Sequence, residues 1–311
     1  MTKKVLSLLG LCCLFLFSSC MTYTYQDAKK IIPEEPQAAA TEIIIPSTPT
    51  PEPEEKQDLR PIEVALIPLP CNAEKTLLDT IIKEADEGGY DLIGFTGETE
   101  ALVYVASLVK TPVYWTQQGK VITSPLSITQ TSGEFPLVTL ENGQEFRVTL
   151  VDIQETTVFQ ALRAESDQSR WESIIAKEHP SREQAIQPIL AYEAETPLLV
   201  LASLGEPSAA DWFETAADHP YRIPVSWPIV ENLLVHRFLD SWRMTHYQAA
   251  SAPGITWELG TETMTYTERV DFLFSKGLLP IRTTTIDIGE GQKERLPYEQ
   301  RSALTGTFII P

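Results

Sequence analysis

The stretch LLVLASLGEPSAADW, Leu198 to Trp212, decides the fold. Leu198 to Ala202 is a continuous apolar run of strand length, the pattern of a strand buried on both faces. Gly205-Glu206-Pro207 follows as a turn. Ser208 then stands where a helix N-cap is wanted, and Asp211, three residues on, complements the positive end of that helix. The unit is a buried strand, a polar turn and a capped helix carrying Trp212.

Upstream, IEVALIPL (62–69) reads as a strand, AEKTLLDTIIKEAD (73–86) has helical periodicity, and YDLIGF (90–95) is a second buried strand, with a helix over 99–110. Strands near 112–116 and 119–128 lead to a hairpin in which Leu137 to Leu140 and Phe146 to Asp152 flank Asn142-Gly143. Helices follow over 157–177 and from Ser181, whose spacing to Gln184 is that of a capping box, with Pro188 kinking or ending the second. Downstream the strand patterns return at 255–258, 269–275, 281–288 and 302–310. Strands alternate with helices first and dominate later, with hairpins that a doubly wound parallel sheet would not need. The prediction is an α/β (α+β) fold of two mixed β-sheets packed face to face with helices on the outside.

The chain begins differently. Residues 1–20 read as a bacterial lipoprotein signal peptide: Lys3 and Lys4, an apolar core from Val5 to Phe17, then Ser18-Ser19-Cys20, with Cys20 the lipidation site. An ordinary signal peptide or an uncleaved anchor is the alternative, and it exports the chain equally. Residues 21–60 form a Pro/Glu-rich flexible tether, with seven prolines between Pro33 and Pro61. Ile43-Ile44-Ile45 has the composition of a short docking strand, but flanking prolines argue against it. A folded domain spans 61–311. The expected address is the bacterial cell envelope, with the N-terminal lipid in a membrane. Cys12 and Cys13 leave with the signal and Cys20 carries lipid, so Cys71 is expected as a half-buried structural thiol with no disulfide partner in the chain.

Formal charge is −19, and losing Lys3 and Lys4 removes two positive charges, leaving −21. Nucleic-acid binding draws on clustered Lys and Arg that release counterions, and no run of them occurs here. Nucleic acid is not expected as a partner. Glycine-rich phosphate loops, zinc-spaced Cys or His pairs and a Gly-x-Ser-x-Gly elbow are also missing from the sequence.

From 62 to 311 the order of elements resembles the endonuclease/exonuclease/phosphatase superfamily. Phe238 to Arg243, Pro253-Gly254-Ile255-Thr256-Trp257 and Arg269-Val270-Asp271-Phe272 are similar to its Gly-Phe-x-Asp-x-Tyr-Arg, Pro-Gly-x-Thr-Trp and Arg-Ile-Asp-Tyr elements. Upstream, Tyr90 to Phe95 resembles the strand that usually ends Leu-Gln-Glu, and Gly119 to Ile128 its Gly-x-x-x-x-Ser-x-x-Pro-Ile hairpin. Glu206-Pro207-Ser208 stands in the matching turn. The resemblance implies a four-layer DNase I-like sandwich and hydrolysis of phosphoesters with Mg or another divalent cation.

Its site residues are not carried over. The family's metal-holding Glu falls on Gly97, with Glu98 one place along. The Asp and Asn of Gly-Asp-Phe-Asn fall on Ser203 and Gly205, the Asn-x-His imidazole on Gln154 and the closing His on Gln300; the first strand offers Pro68 where Asn is usual. A hydroxyl of ordinary pKa cannot replace a carboxylate as base or hard-metal ligand. Four histidines stand elsewhere; His179 and His219 precede prolines in loop-like sequence, and His236 and His246 also miss the family positions. Asp240 and Asp271 match family positions and are expected as buried acids paired with Arg243 or Arg269.

Two functions follow. In one, the exported domain has lost catalysis, needs no cofactor and serves a binding or structural role. In the other, Glu98, Glu206, Asp271 and Glu299 form a rearranged metal site of an active phosphoesterase, which requires those carboxylates to converge. A protein-binding module of unrelated fold is a third reading.

Overall fold

The computed structural model describes residues 59–130, 135–153, 168–193, 195–214, 227–262, 265–288 and 298–311. Strand β1 (Ile62–Pro68) runs parallel to β2 (Leu92–Thr96), with α1 (Lys75–Glu87) between them in sequence. They sit in an eight-stranded sheet ordered β11 (Thr265–Glu268), β10 (Trp257–Gly260), β14 (Tyr298–Ile309), β1, β2, β4 (Val121–Thr123) and β3 (Val113–Trp115), with β13 (Leu279–Ile288) also pairing β14. The second sheet is ordered β5 (Ser127–Thr129), β6 (Leu137–Thr139), β7 (Glu145–Asp152), β8 (Leu198–Ser203), β12 (Asp271–Lys276) and β9 (Leu239–Asp240).

Every residue of β8 is buried, as its apolar run requires. Alternation sends Leu199 and Leu201 into a core shared with Leu66, Leu92, Leu150 and Leu304 from both sheets. Val200 and Ala202 point the other way, against Ile186 and Ile189 of α3 (Trp171–Leu190) and Ile229 and Leu233 of α5 (Pro228–Val235). On the first sheet, Ile67, Ile93 and Phe95 meet Leu78 and Ile81 of α1 and Leu102 and Val105 of α2 (Thr99–Leu108). The layers are therefore helix, sheet, sheet, helix. Each buried aliphatic contributes about 1.5–3 kcal/mol before the entropy of ordering is subtracted, and both faces of both sheets are used.

Gly94 of the first sheet packs directly against the second. A Cβ there would stand 2.7 Å from Leu201 Cδ2 and 3.1 Å from Leu150 Cδ1, inside the contact distance that side chains tolerate. Gly94→Val is expected to cost about 1–3 kcal/mol by overpacking, read as a lower urea midpoint with an unchanged m-value. An unaltered midpoint would refute this close approach.

Local readings hold in part. Ser208 does cap α4 (Ala209–Glu214), its Oγ accepting from Asp211 N at 3.1 Å. The Asn142-Gly143 turn closes β6 onto β7, with Gln144 N donating to Asn142 Oδ1. Other readings are corrected. No new helix starts at Ser181, because α3 runs through it, and Ser181 Oγ donates to the Glu178 carbonyl as a mid-helix hydroxyl does. Pro180 and Pro188 lie inside that helix, whose buried residues Ile175, Arg182, Ile186 and Ile189 keep it continuous against local propensity. The 157–167 part of the expected upstream helix lies outside the described residues. The 119–128 run divides between β4 and β5, on different sheets, at Ser124-Pro125. Cys71 is exposed rather than half-buried, because it falls in the turn after β1. The sequence reading also passed over β11, α5 and α6 (Ser241–Thr245).

Candidate functional site

Parallel pairing brings the ends of β1 and β2 to one edge of the first sheet and those of β7 and β8 to one edge of the second, where β12 begins. Thr96 Oγ1 lies 3.0 Å from Ser203 Oγ, joining the sheets, and Ser203 Oγ donates to Asp271 Oδ1. Lys120 Nζ sits 2.5 Å from Asp152 Oδ2 and donates to Gly97 O at 3.2 Å; Gly97 N donates to the same Asp152 oxygen. Thr256 Oγ1 accepts from the backbone N–H groups of Val270 and Asp271. Arg301 Nη1 is 3.8 Å from Asp271 Oδ2, beyond hydrogen-bond range, and Arg301 Nε is 3.5 Å from Glu299 Oε1. Glu299 in turn accepts from Trp257 Nε1 at 2.8 Å. Burial pushes the Asp271 carboxyl above its ordinary pKa, against Arg301 and the Ser203 and Thr256 hydroxyls, and Asp152 pushes it the same way.

No family model matches the sequence. A curated relative, the uncharacterised protein F14F9.5 of Caenorhabditis elegans, is 27% identical over 117 residues, and the matched part is 35% of this chain and 37% of that protein's length. Among solved structures, D. rerio TDP2 complexed with single strand DNA product aligns over 80% of this chain and 98% of its own, with a TM-score of 0.52 at 10% identity. Humanized D. rerio TDP2 aligns over the same shares with a TM-score of 0.50. An endonuclease/exonuclease/phosphatase family protein from Bacteroides thetaiotaomicron covers 81% of the chain with a TM-score of 0.47 at 7% identity. The fold is the DNase I-like sandwich.

In this DNase I-like frame the residues singled out from the sequence are dispersed. Gly97 is at the cleft edge with φ +134, and a Cβ there would meet Leu69 Cβ at 3.0 Å and Leu69 O at 3.2 Å, so a carboxylate side chain is disfavoured by the backbone itself. Glu98 is exposed just before α2 and accepts weakly from Asn72 N at 3.4 Å. Glu206, 1% exposed, accepts from Ile229 N at 2.8 Å and lies 3.3 Å from Arg182 Nη2. Gly205 takes the left-handed conformation of its turn, φ +61. Gln154 and His219 lie outside the described residues.

Asp240 pairs with Arg269 as expected, but Asp271 does not pair with Arg243 or Arg269; its partners are Ser203, opposite it on the neighbouring strand β8, and Arg301, from β14 of the other sheet. His179 is helical, half-buried and 3.5 Å from Glu183, since α3 continues past Pro180. His236 is exposed, and His246 stacks on Trp242 at 4.1 Å between centroids.

The site residues that the sequence reading missed are Lys120, Arg301, Thr96 and Thr256. From β14 it is Arg301, not Gln300, that reaches Asp271, and Gln300 lines a separate cavity. Nothing local in the sequence marks Lys120; its role comes from the loop that carries it beside Asp152. Among the described residues no three His, Cys, Asp or Glu side chains gather as ligands of a metal ion. Magnesium asks for near-octahedral oxygen ligation, whereas the acids here are held by Lys120, Arg301, Arg182 and Trp257. Among the described residues, the side chains at the cleft do not fit a divalent cation.

Proposed function

We propose that this chain is a lipid-anchored envelope protein of the endonuclease/exonuclease/phosphatase superfamily whose cleft binds or supports and does not hydrolyse. The observation that carries the reading is Lys120. Its ammonium stands 2.5 Å from Asp152 and bonds the carbonyl of Gly97, the position where the family places its metal-holding Glu. A fixed monovalent cation balances the carboxylate there, and it offers neither open coordination positions nor an acidified water. Ser203, in the place of the base, is committed to Asp271 and Thr96. Catalytic groups act as a unit, so the loss of even one of them removes orders of magnitude in rate.

The purified protein with magnesium, manganese or calcium is expected to turn over nitrophenyl phosphate mono- and diesters no faster than the metal alone. Turnover that disappears in Glu299→Ala would overturn the proposal. Membrane attachment through Cys20 is tested by labelling cells with a fatty-acid analogue, with incorporation expected in the native chain and lost in Cys20→Ser. The DNA in the D. rerio complex belongs to that protein. A net charge of −19 opposes a polyphosphate backbone within a Debye length of about 8 Å, and we extend no nucleic-acid partner to this chain.

A further inference from the structure

A cavity of about 580 Å³ opens between the β3–β4 turn of the first sheet and β7 of the second, with Tyr114, Phe135, Tyr192, Gln117, Gln118 and Thr149 in its wall. Three of these residues bring aromatic rings, two bring primary amides and one brings a hydroxyl. Tyr114, Phe135 and Tyr192 are half-buried, whereas the two glutamines are exposed at the rim.

Hydrogen bonds hold this wall in place. The Phe135 and Tyr192 rings stand 5.7 Å apart and tilted by 56°, which makes an angled apolar pair. The Tyr192 hydroxyl donates to Thr196 O at 2.7 Å, its carbonyl accepts from Lys276 Nζ at 2.7 Å, and the Phe135 carbonyl accepts from Arg147 Nη1 at 2.6 Å. Across the cavity the Tyr114 hydroxyl donates to Gln130 Oε1. Gln117 and Gln118 form the middle of the tight turn that closes β3 onto β4. Thr116 N donates to Lys120 O at 2.8 Å, Gly119 N to Thr116 O at 2.9 Å and Lys120 N to Thr116 Oγ1 at 3.0 Å, with Gly119 left-handed at φ +73. Rings and turn are thus ordered in advance, which leaves less ordering for a ligand to impose.

The groups in the wall ask for a ligand of mixed character. A glutamine amide donates and accepts, a threonine hydroxyl does both, and a phenol oxygen that donates can also accept. The aromatic rings add apolar faces that C–H groups cover best. A saccharide unit carries that combination, since hydroxyls that donate and accept surround a ring whose C–H groups form apolar patches. A hydrocarbon would dehydrate the amides without replacing their hydrogen bonds. The volume lies in the range of small-molecule sites, roughly 300–1,000 Å³. We propose that the cavity binds a neutral saccharide of one or two rings, with its C–H face on Phe135 and Tyr192 and its hydroxyls on Gln117, Gln118 and Thr149. Lys120 leaves the same turn toward Asp152 and takes no part in this site, which therefore stands whether or not the cleft hydrolyses esters.

Ligand-observed NMR titration of the full chain, in a detergent whose head group is not a sugar, tests this. Cellobiose and N,N′-diacetylchitobiose are the saccharide probes, and 1,4-butanediol and trialanine stand for a simple diol and a peptide. Saturable binding is expected of a saccharide and not of the other two, and the tighter saccharide tells a plain hexose from an N-acetylated one. Gln117→Ala combined with Gln118→Ala is expected to weaken binding roughly 5-fold or more and to leave the melting temperature unchanged, because both side chains are exposed. Tyr192→Ala should weaken it about 10-fold through loss of the ring. If Tyr192→Ala fails to fold because Thr196 loses its partner, the glutamine double variant decides. Failure of both saccharides to saturate, equal binding of trialanine or the diol, or unchanged affinity in the glutamine double variant overturns the proposal.

Discussion

Replacing Arg269 by methionine is expected to lower stability by about 3–5 kcal/mol, because buried Asp240 loses its cation and buried Asp211 loses one of two. Arg269 is fully buried. Its Nη1 and Nη2 donate to Asp240 at 2.9 and 2.5 Å, its Nε donates to Asp211 Oδ2 at 2.8 Å, and its guanidinium lies 4.4 Å over the Phe272 ring. Burial works against the charge, yet Asp240 and Asp211 outweigh it and raise the guanidinium pKa. Arg243 adds a second bond to Asp211, so one cation remains there after the substitution, and Asp240 is the acid left without one, held only by the backbone N–H groups of Trp242 and Arg243. Methionine keeps much of the volume, which separates loss of charge from loss of packing. Urea denaturation checks the value, and adding Asp240→Asn to the variant should restore part of the loss through coupling between neighbours. A change under about 1 kcal/mol, or no recovery in the double variant, would remove the network from the account of what holds β12 against α4 and α6.

The layer order of this domain was legible because burial pattern and element order are local properties. The all-apolar run at Leu198 reads as a buried strand from its composition, and Asn142-Gly143 marks a hairpin by turn chemistry alone. The failures share a cause. Ser181 and Gln184 have the spacing of a cap, but the helix around them is stabilised by Ile186 and Ile189 packed on the second sheet and by Ile175 packed with Trp212, Trp227 and Trp257, contacts that no window of sequence contains. The site was less legible for the same reason. Gly97, Ser203 and Gly205 could be read as departures from a pattern, whereas Lys120 and Arg301 enter the cleft from a loop and a strand far away in sequence. Whether Gln300 or Arg301 faces Asp271 is a matter of strand phase, and a shift of one residue exchanges the two faces.

Between pH 4.5 and 7 the native protein is expected to lose stability relative to Glu206→Gln. Burial pushes the Glu206 carboxyl from 4.5 up to about 7, even though Arg182 and the amides of Ile229 and Val230 pull it down. Its folded pKa thus exceeds its unfolded one. The folded state keeps a proton that the unfolded chain releases, so this contribution is complete below pH 4.5 and is lost as pH rises through 7. At 1.36 kcal/mol per pKa unit the whole effect is about 3 kcal/mol at most. Asp271, also raised by burial, acts in the same direction and remains in both proteins, which is why the difference between them isolates Glu206. The glutamine amide oxygen can still accept from Ile229 N, and Arg182 retains the Leu204 carbonyl. Urea midpoints at pH 4.5, 5.5, 6.5 and 7.5 should therefore diverge with rising pH, in favour of the variant. Parallel curves would mean that Arg182 and the amides fully offset burial, and a native protein that gains on the variant would mean that they exceed it and that Glu206 is ionised throughout.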